Sequence, residues 1–189
     1  MEGILIALAM MALFALIGSN RFVLLRKAAD QAFVPFDKLV MEKYQLLSEK
    51  VSIWQKTIDK EVEETQEERK LKELESLLKK AQNPQLEINQ KVKAENKITE
   101  ALYELTRDDE SAERQSMQTF EQPPALSQVE KKLEVLKKKY NEAVLDYNNA
   151  VYMFPSNVFA LIFRYRPRAT FKFPGETREQ EKGKLFGKR

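Results

Sequence analysis

Two tyrosine–asparagine pairs, Tyr140-Asn141 and Tyr147-Asn148, stand seven residues apart in the sequence. Seven residues make about two helical turns, so both pairs project from one face of a helix. Tyrosine combines a large apolar ring with a hydroxyl, and asparagine both donates and accepts hydrogen bonds. Such a polar ladder could bind a partner helix, or it could fix the register of a bundle from inside. We favour an internal hydrogen-bonded seam.

Carboxylates are the other candidates for chemistry, because the 189 residues include no histidine and no cysteine. This composition excludes histidine-based triads, thiol nucleophiles and Glu-x-x-His di-iron sites. Glu95 lies beside Val92 and Ile98 on a helical face, where it could be a buried acid or a metal ligand. We expect a surface glutamate instead, since glutamate is rarely buried unless it is paired. The acidic residues 108–110 lack the spacing and the glycine of a calcium loop. The sequence therefore predicts no catalytic residue, no metal site and no cofactor.

Aromatic and basic residues alternate near the C-terminus. The favoured interpretation is a strap whose rings pack on the helices while its cations face water. The alternative is a docking surface for lipid or protein, and the candidate contact residues are then Arg164, Tyr165, Arg166, Arg168, Phe171 and Lys172.

Charge is distributed unevenly along the chain. Residues 164–189 hold 9 basic and 3 acidic side chains, whereas residues 28–163 hold 20 and 25. A basic tail serves solubility, or it attracts anionic lipid headgroups at about 1 kcal/mol per basic residue near the surface. The tail has no organised nucleic-acid recognition motif, so we expect no nucleic-acid partner.

Long helices must position these residues. An apolar stripe at alternating spacings of three and four runs from Leu126 to Phe154 and predicts one buried face of a long helix. Pro155 should end that helix, and residues 157–163 should add one or two further turns. Upstream, Asn83-Pro84 predicts a break between helices, and Pro35 predicts a kink or a restart.

The N-terminal residues 3–20 contain no charged side chain. As a helix these eighteen residues would reach about 27 Å, enough for the hydrocarbon core of a bilayer. Glu2 precedes the run and Arg21, Arg26 and Lys27 follow it, unlike the basic start of a cleavable signal peptide. By the positive-inside rule, the N-terminus lies outside and the bulk of the chain in the cytoplasm.

The segment around the tyrosine–asparagine pairs resembles the C-terminal signature of the LemA family of bacterial membrane-anchored proteins, roughly YNDAVxxYNxxIxxFPxxxxAxxFGFxxxxxF. The matching positions are Tyr140, Asn141, Ala143, Val144, Tyr147, Asn148, Phe154, Pro155, Ala160 and Phe163. Glu142 replaces the family's aspartate, Arg164 the glycine after Phe163, and Tyr165 the next phenylalanine.

Upstream the similarity is weaker. Phe36-Asp37 and Lys43-Tyr44 resemble parts of the family's first cytosolic helix. The resemblance implies a helical protein of the bacterial plasma membrane without a settled catalytic role.

Together these observations predict an all-α protein with an N-terminal transmembrane helix and an antiparallel bundle of about four long helices. The expected organisation is an anchor in residues 1–20, a cytoplasmic bundle in 21–163, and a basic, partly extended to disordered tail in 164–189. The leading hypothesis is a non-enzymatic scaffold or adaptor with a protein partner or self-association. The alternatives are a self-assembling protein that organises the bilayer, and a hydrolase that uses carboxylates alone.

Overall fold

The computed structural model describes residues 2–57, 66–107 and 124–173 of the chain. Over these ranges it contains five α-helices and no β-strand, so the all-α prediction is confirmed. The helices are α1 (Glu2–Thr57), α2 (Gln66–Ala81), α3 (Ile88–Arg107), α4 (Pro124–Tyr152) and α5 (Ser156–Ile162). Four of them are long, as expected. The predictions for residues 108–110 and for the tail from residue 174 lie outside the described residues.

Helix α1 runs through Pro35 without interruption, which excludes the restart and leaves the kink, the other predicted outcome, as a prediction. Proline removes one backbone hydrogen bond of the helix, but the burial of aromatic side chains before and after Pro35 offsets that loss. Phe33 and Phe36 are buried, and their ring centroids lie 5.5 Å apart. Among the described residues, no helix combines the length and the apolar character that crossing a membrane requires.

The chain divides into two compact units. Unit 1 comprises Met1–Phe36 and Val135–Thr170, and unit 2 comprises Asp37–Glu134 and Phe171–Arg189. Helix α1 is divided between the units after Phe36, and helix α4 is divided between them after Glu134.

In unit 2, α2 packs against α3, and residues 82–87 connect the two helices. The Asn83-Pro84 break is thereby confirmed. The Asn83 side chain accepts a hydrogen bond from the backbone N–H of Gln85 at 3.0 Å, which stabilises the turn. The Gln90 side chain accepts one from the backbone N–H of Glu87 at 3.0 Å, which caps the start of α3.

In unit 1, α4 ends at Tyr152, and the short α5 follows Pro155, as the sequence predicts. The Phe154–Pro155 peptide bond is cis. The core of this part consists of Phe22, Tyr147, Ala150, Val151, Phe159 and Ala160. The ring of Phe22 stacks on Tyr165 at a centroid distance of 4.7 Å and meets Tyr147 edge-on at 6.4 Å.

Phe154 does not continue the buried stripe of α4, so that prediction is wrong. The helix ends two residues earlier, and the turn carries Phe154 away from the buried face. Its side chain is 83% exposed.

Helix α5 ends in a turn that places Arg164 at φ 56°, in the left-handed region. The backbone N–H of Tyr165 donates to the carbonyl of Ala160 at 2.9 Å, and that of Arg164 to Leu161 at 3.3 Å. This is the hydrogen-bond pattern of a Schellman motif, in which glycine is the usual left-handed residue. The geometry explains why glycine suits the position that Arg164 occupies here.

We expect Arg164→Gly to raise the free energy of unfolding by about 0.5–1 kcal/mol. The left-handed conformation costs a non-glycine residue about 1–2 kcal/mol, and the greater freedom of glycine in the unfolded chain offsets part of that gain. Urea denaturation of the purified protein, followed by circular dichroism, measures the change. Arg166→Gly is the matched control, because Arg166 is exposed and has no positive φ. A stability gain in the control, or none at Arg164, would contradict the strain argument.

Candidate functional site

Tyr140 and Tyr147 both donate hydrogen bonds to the backbone of one C-terminal segment in unit 1. The Tyr140 hydroxyl lies 3.2 Å from the carbonyl oxygen of Ala169, and the Tyr147 hydroxyl lies 3.0 Å from that of Arg166. We call residues 164–170 the strap. The two tyrosines of the signature therefore hold the strap along the last turns of α4.

Asn148 binds the strap between these two contacts. Its Nδ2 donates to the carbonyl of Arg168 at 3.0 Å, and its Oδ1 accepts from the Arg168 N–H at 2.8 Å. One amide side chain thus satisfies both backbone groups of a residue that has no regular secondary structure.

The Arg168 side chain extends from the strap to α1. Its Nη2 forms an ion pair with Asp30 Oδ1 at 2.7 Å, and the guanidinium carbon lies 5.6 Å from the centre of the Tyr147 ring. Only 10% of the Arg168 side chain is exposed, so the cation and its contact with the Tyr147 ring are largely shielded from water, whereas the Asp30 side chain is 41% exposed. The seam therefore joins the two sequence-distant parts of unit 1 through a charged contact.

Burial further stabilises the neutral form of both seam tyrosines. It raises the pKa of Tyr140 to about 12, against a smaller opposing influence of Arg168. Burial also raises the pKa of Tyr147, although Arg168 and Arg26 act in the opposite direction. Neutral hydroxyls are hydrogen-bond donors, which is the role that both groups have here.

The ten signature residues differ in exposure. Tyr140, Val144, Tyr147 and Ala160 are buried; Asn141, Ala143 and Asn148 are partly buried; Phe154, Pro155 and Phe163 are exposed. The buried and hydrogen-bonding members assemble unit 1, and the exposed members lie around α5.

The candidate contact residues are likewise divided between the surface and the interior. Arg164, Arg166 and Lys172 are exposed, Tyr165 and Arg168 are partly buried, and Phe171 is buried. In unit 2, the backbone N–H of Lys172 donates to Asn96 Oδ1 at 2.9 Å. The strap interpretation describes most of these residues, except that the cation of Arg168 faces Asp30 and not water. The three exposed cations remain candidates for an external contact.

Unit 2 contains a buried polar cluster centred on Glu95, so the prediction of a surface glutamate is wrong. Glu95 is 0% exposed. Lys43 Nζ lies 2.8 Å from Glu95 Oε1, and the Tyr44 hydroxyl donates to Oε2 at 2.9 Å. Thr99 Oγ1 approaches Oε1 at 3.5 Å. The carboxylate is paired, which is the condition under which a glutamate can be buried.

The surroundings of this cluster are charged as well. Glu130 Oε1 lies 3.9 Å from Lys43 Nζ, and Lys91 Nζ lies 2.8 Å from Asp37 Oδ1. Burial and the neighbouring Glu95 carboxylate hold the pKa of Tyr44 well above its usual range. The motif residues Asp37, Lys43 and Tyr44 on α1 therefore all pair with α3.

A groove of about 370 Å³ in unit 2 lies between α1 and α2, beside the start of the segment that connects α2 to α3. The lining residues are Gln45, Ser48, Val51, Ser52, Gln55, Glu75, Lys79 and Gln82. Glu75 is the single carboxylate among them. Its hydrogen bonds with Lys79 and Gln55 lower its pKa, so it is ionised at neutral pH. This groove does not offer the pair of carboxylates that the hydrolase hypothesis requires.

No group of three or more metal-ligating side chains that could hold an ion occurs within residues 2–57, 66–107 and 124–173. The polar contacts of the strap and those of the Glu95 cluster each hold together parts of the same chain. Sequence reasoning missed Asp30 and the Lys43–Glu95 pair. The available signal was a lysine–tyrosine pair in the apolar stripe of α1 and a glutamate in that of α3.

Comparison with known proteins gives one family match. The model of the LemA family matches residues 46–184, which is well over half of the chain. No curated protein and no solved structure matches the sequence.

Proposed function

Because the chain belongs to the LemA family, we propose that it is a non-enzymatic scaffold or adaptor at the cytoplasmic face of the bacterial plasma membrane. The observation that carries this proposal is the use of the signature itself. The strap accepts hydrogen bonds from three signature side chains of the same chain, those of Tyr140, Tyr147 and Asn148. Because these signature side chains bind the chain itself, the exposed residues are the ones that can bind a partner.

The membrane anchor in this proposal is the uncharged run of residues 3–20. Its support is the sequence pattern, in which one acidic residue precedes the run and three basic residues follow it closely. The run also belongs to the continuous helix α1, so the anchor would continue without a break into the rest of unit 1.

The proposed contact residues for a partner are Arg164 and Arg166 in unit 1 and, separately, Lys172 in unit 2. All three side chains are exposed, and they follow the core-forming helices. An acidic protein surface is the partner that these cations favour, because opposite charges steer association.

The topology gives the first test, and the absence of native cysteine makes it direct. We expect an impermeant maleimide to label Gly3→Cys in intact spheroplasts, and Gln128→Cys only after the membrane is disrupted. A side chain at Gly3 meets open space, and Gln128 is exposed on α4. The unsubstituted chain is the unlabelled control. Labelling of Gln128→Cys in intact spheroplasts would overturn the topology, and recovery of the protein in the soluble fraction would overturn the anchor.

A crosslinked pull-down from native membranes tests the scaffold role, with the unsubstituted chain compared with one that carries Arg164→Ser, Arg166→Ser and Lys172→Ser. One stoichiometric partner whose recovery falls in the substituted chain would support an adaptor that uses these cations. Recovery of the protein alone would argue against an adaptor.

A second candidate is a self-assembling protein that acts on the bilayer. The exposed apolar residues around α5, such as Phe154 and Leu161, favour it. Concentration-dependent oligomers, together with vesicle binding that is lost at high salt, would distinguish it from the adaptor.

A further inference from the structure

Helix α5 is apolar on both its faces. It buries Phe159 and Ala160 in the core of unit 1. On the other side it exposes Val158, Leu161 and Ile162, which recur at the spacing of one helical face. Leu161 is 82% exposed. A helix that is hydrophobic all round is typical of a buried or a membrane-associated position.

The neighbouring turns extend this apolar surface. Tyr152, Met153 and Phe154 precede α5, and Phe163 follows it, all exposed. We call the set of Tyr152, Met153, Phe154, Leu161, Ile162 and Phe163 the α5 patch. A concentration of exposed apolar side chains in one short stretch of chain is typical of an interaction site.

The core contacts of α5 fix its level along α1. Phe159 and Ala160 share a core cluster with Phe22, and Phe22 follows the last uncharged residue, Asn20, by two positions. At 1.5 Å per residue, Phe22 lies about 3 Å beyond the end of the uncharged run. The polar headgroup layer on each side of a bilayer is about 5–8 Å thick. If residues 3–20 span the hydrocarbon core, α5 therefore packs at the depth of the headgroups.

Exposed cations of unit 1 flank this level in the sequence. Arg21 precedes Phe22, Arg26 and Lys27 follow it, and all three side chains are exposed. Apolar residues accompanied by arginine and lysine are the combination with which interfacial segments bind anionic lipids. A protein partner for the patch would have to dock against the lipid headgroups, which argues for the bilayer as the occupant.

We propose that the α5 patch inserts into the cytoplasmic leaflet of an anionic bilayer beside the exit point of α1. The proposal rests on the proposed function, because it takes residues 3–20 as the anchor. Unit 1 then has two membrane contacts, one spanning and one interfacial.

Single cysteines in the full chain test the insertion. The positions are Leu161→Cys in the patch, Leu145→Cys as the matched control, and Ala7→Cys in the anchor. Leu145 is an exposed leucine of α4 in the same unit. Each variant carries an environment-sensitive fluorophore and is reconstituted into vesicles of phosphatidylcholine and phosphatidylglycerol. We expect blue-shifted emission and quenching by spin-labelled lipid at positions 7 and 161, and water-like emission at position 145. Circular dichroism verifies that the variants are folded.

The outcomes separate the two proposals. Emission at position 161 that matches position 145, with position 7 still quenched, would overturn the insertion of α5 and leave the anchor intact. Water-like emission at position 7, with protein that does not float with the vesicles, would overturn the anchor and the insertion with it.

Discussion

Lys43→Met should lower the free energy of unfolding by about 3–5 kcal/mol, the largest effect that we expect of a single substitution. The change removes the cation from a buried pair and leaves the charge of Glu95 without its partner. Glu95 is fully buried, and the side chain of Lys43 is 4% exposed, so water cannot replace the lost contact. Urea denaturation of the purified protein, monitored by circular dichroism, measures the loss.

Two further variants test whether the unpaired charge of Glu95 causes the loss of stability. Adding Glu95→Gln to Lys43→Met removes the charge and keeps an oxygen for the Tyr44 hydroxyl, so we expect at least half of the lost stability to return. Lys38→Met is the control, because Lys38 is exposed on the same helix. A loss at Lys43 no larger than that of the control would show that the pair contributes little.

Asn148→Ala should release the strap from α4 and lower the free energy of unfolding by about 1–3 kcal/mol. The substitution removes two hydrogen bonds and leaves the N–H and carbonyl of Arg168 without their side-chain partner. We expect faster deuterium exchange at the Arg168 amide and faster tryptic cleavage after Arg164 and Arg168.

Asn149→Ala is the matched control for this substitution. Asn149 is the next residue of α4 and is exposed. It should leave both exchange and cleavage unchanged. Equal rates in the two variants would mean that Asn148 does not hold the strap.

Helix boundaries at prolines could be predicted from the sequence, because the effect of proline on the backbone is local. Asn83-Pro84 separates α2 from α3, and Pro155 lies just beyond the end of α4. Pro35 shows the limit of this reasoning. Packing around Phe33 and Phe36 keeps α1 continuous there, and packing is not a local property.

The misassignment of Glu95 has a related cause. Periodicity placed it correctly on the face shared with Val92 and Ile98, both of which are buried. Glutamate is rarely buried without a partner, which favours a surface position. The partner that permits its burial here, Lys43, lies 52 residues away in the sequence. Pairing between distant residues decides such cases, and one sequence does not reveal it.

The seam was partly visible in the same sense. The repeat of tyrosine and asparagine identified the side chains that form hydrogen bonds. Their partners are backbone groups of residues 166–169, and a carbonyl or an N–H is the same in every residue type. The Asp30–Arg168 contact lacked a local signal for the same reason as Lys43–Glu95.

The stacking of Phe22 on Tyr165 sets an order on biosynthesis. The ribosome must add about 140 residues between these two rings, which takes roughly 7–30 s at 5–20 residues per second. During that interval residues 2–57 have been synthesised, whereas Tyr147, α5 and the strap, which complete the core around Phe22, have not. The α2–α3 hairpin depends on neighbouring residues and can form while synthesis continues. The core of unit 1 is therefore completed only after its second part, Val135–Thr170, has been synthesised.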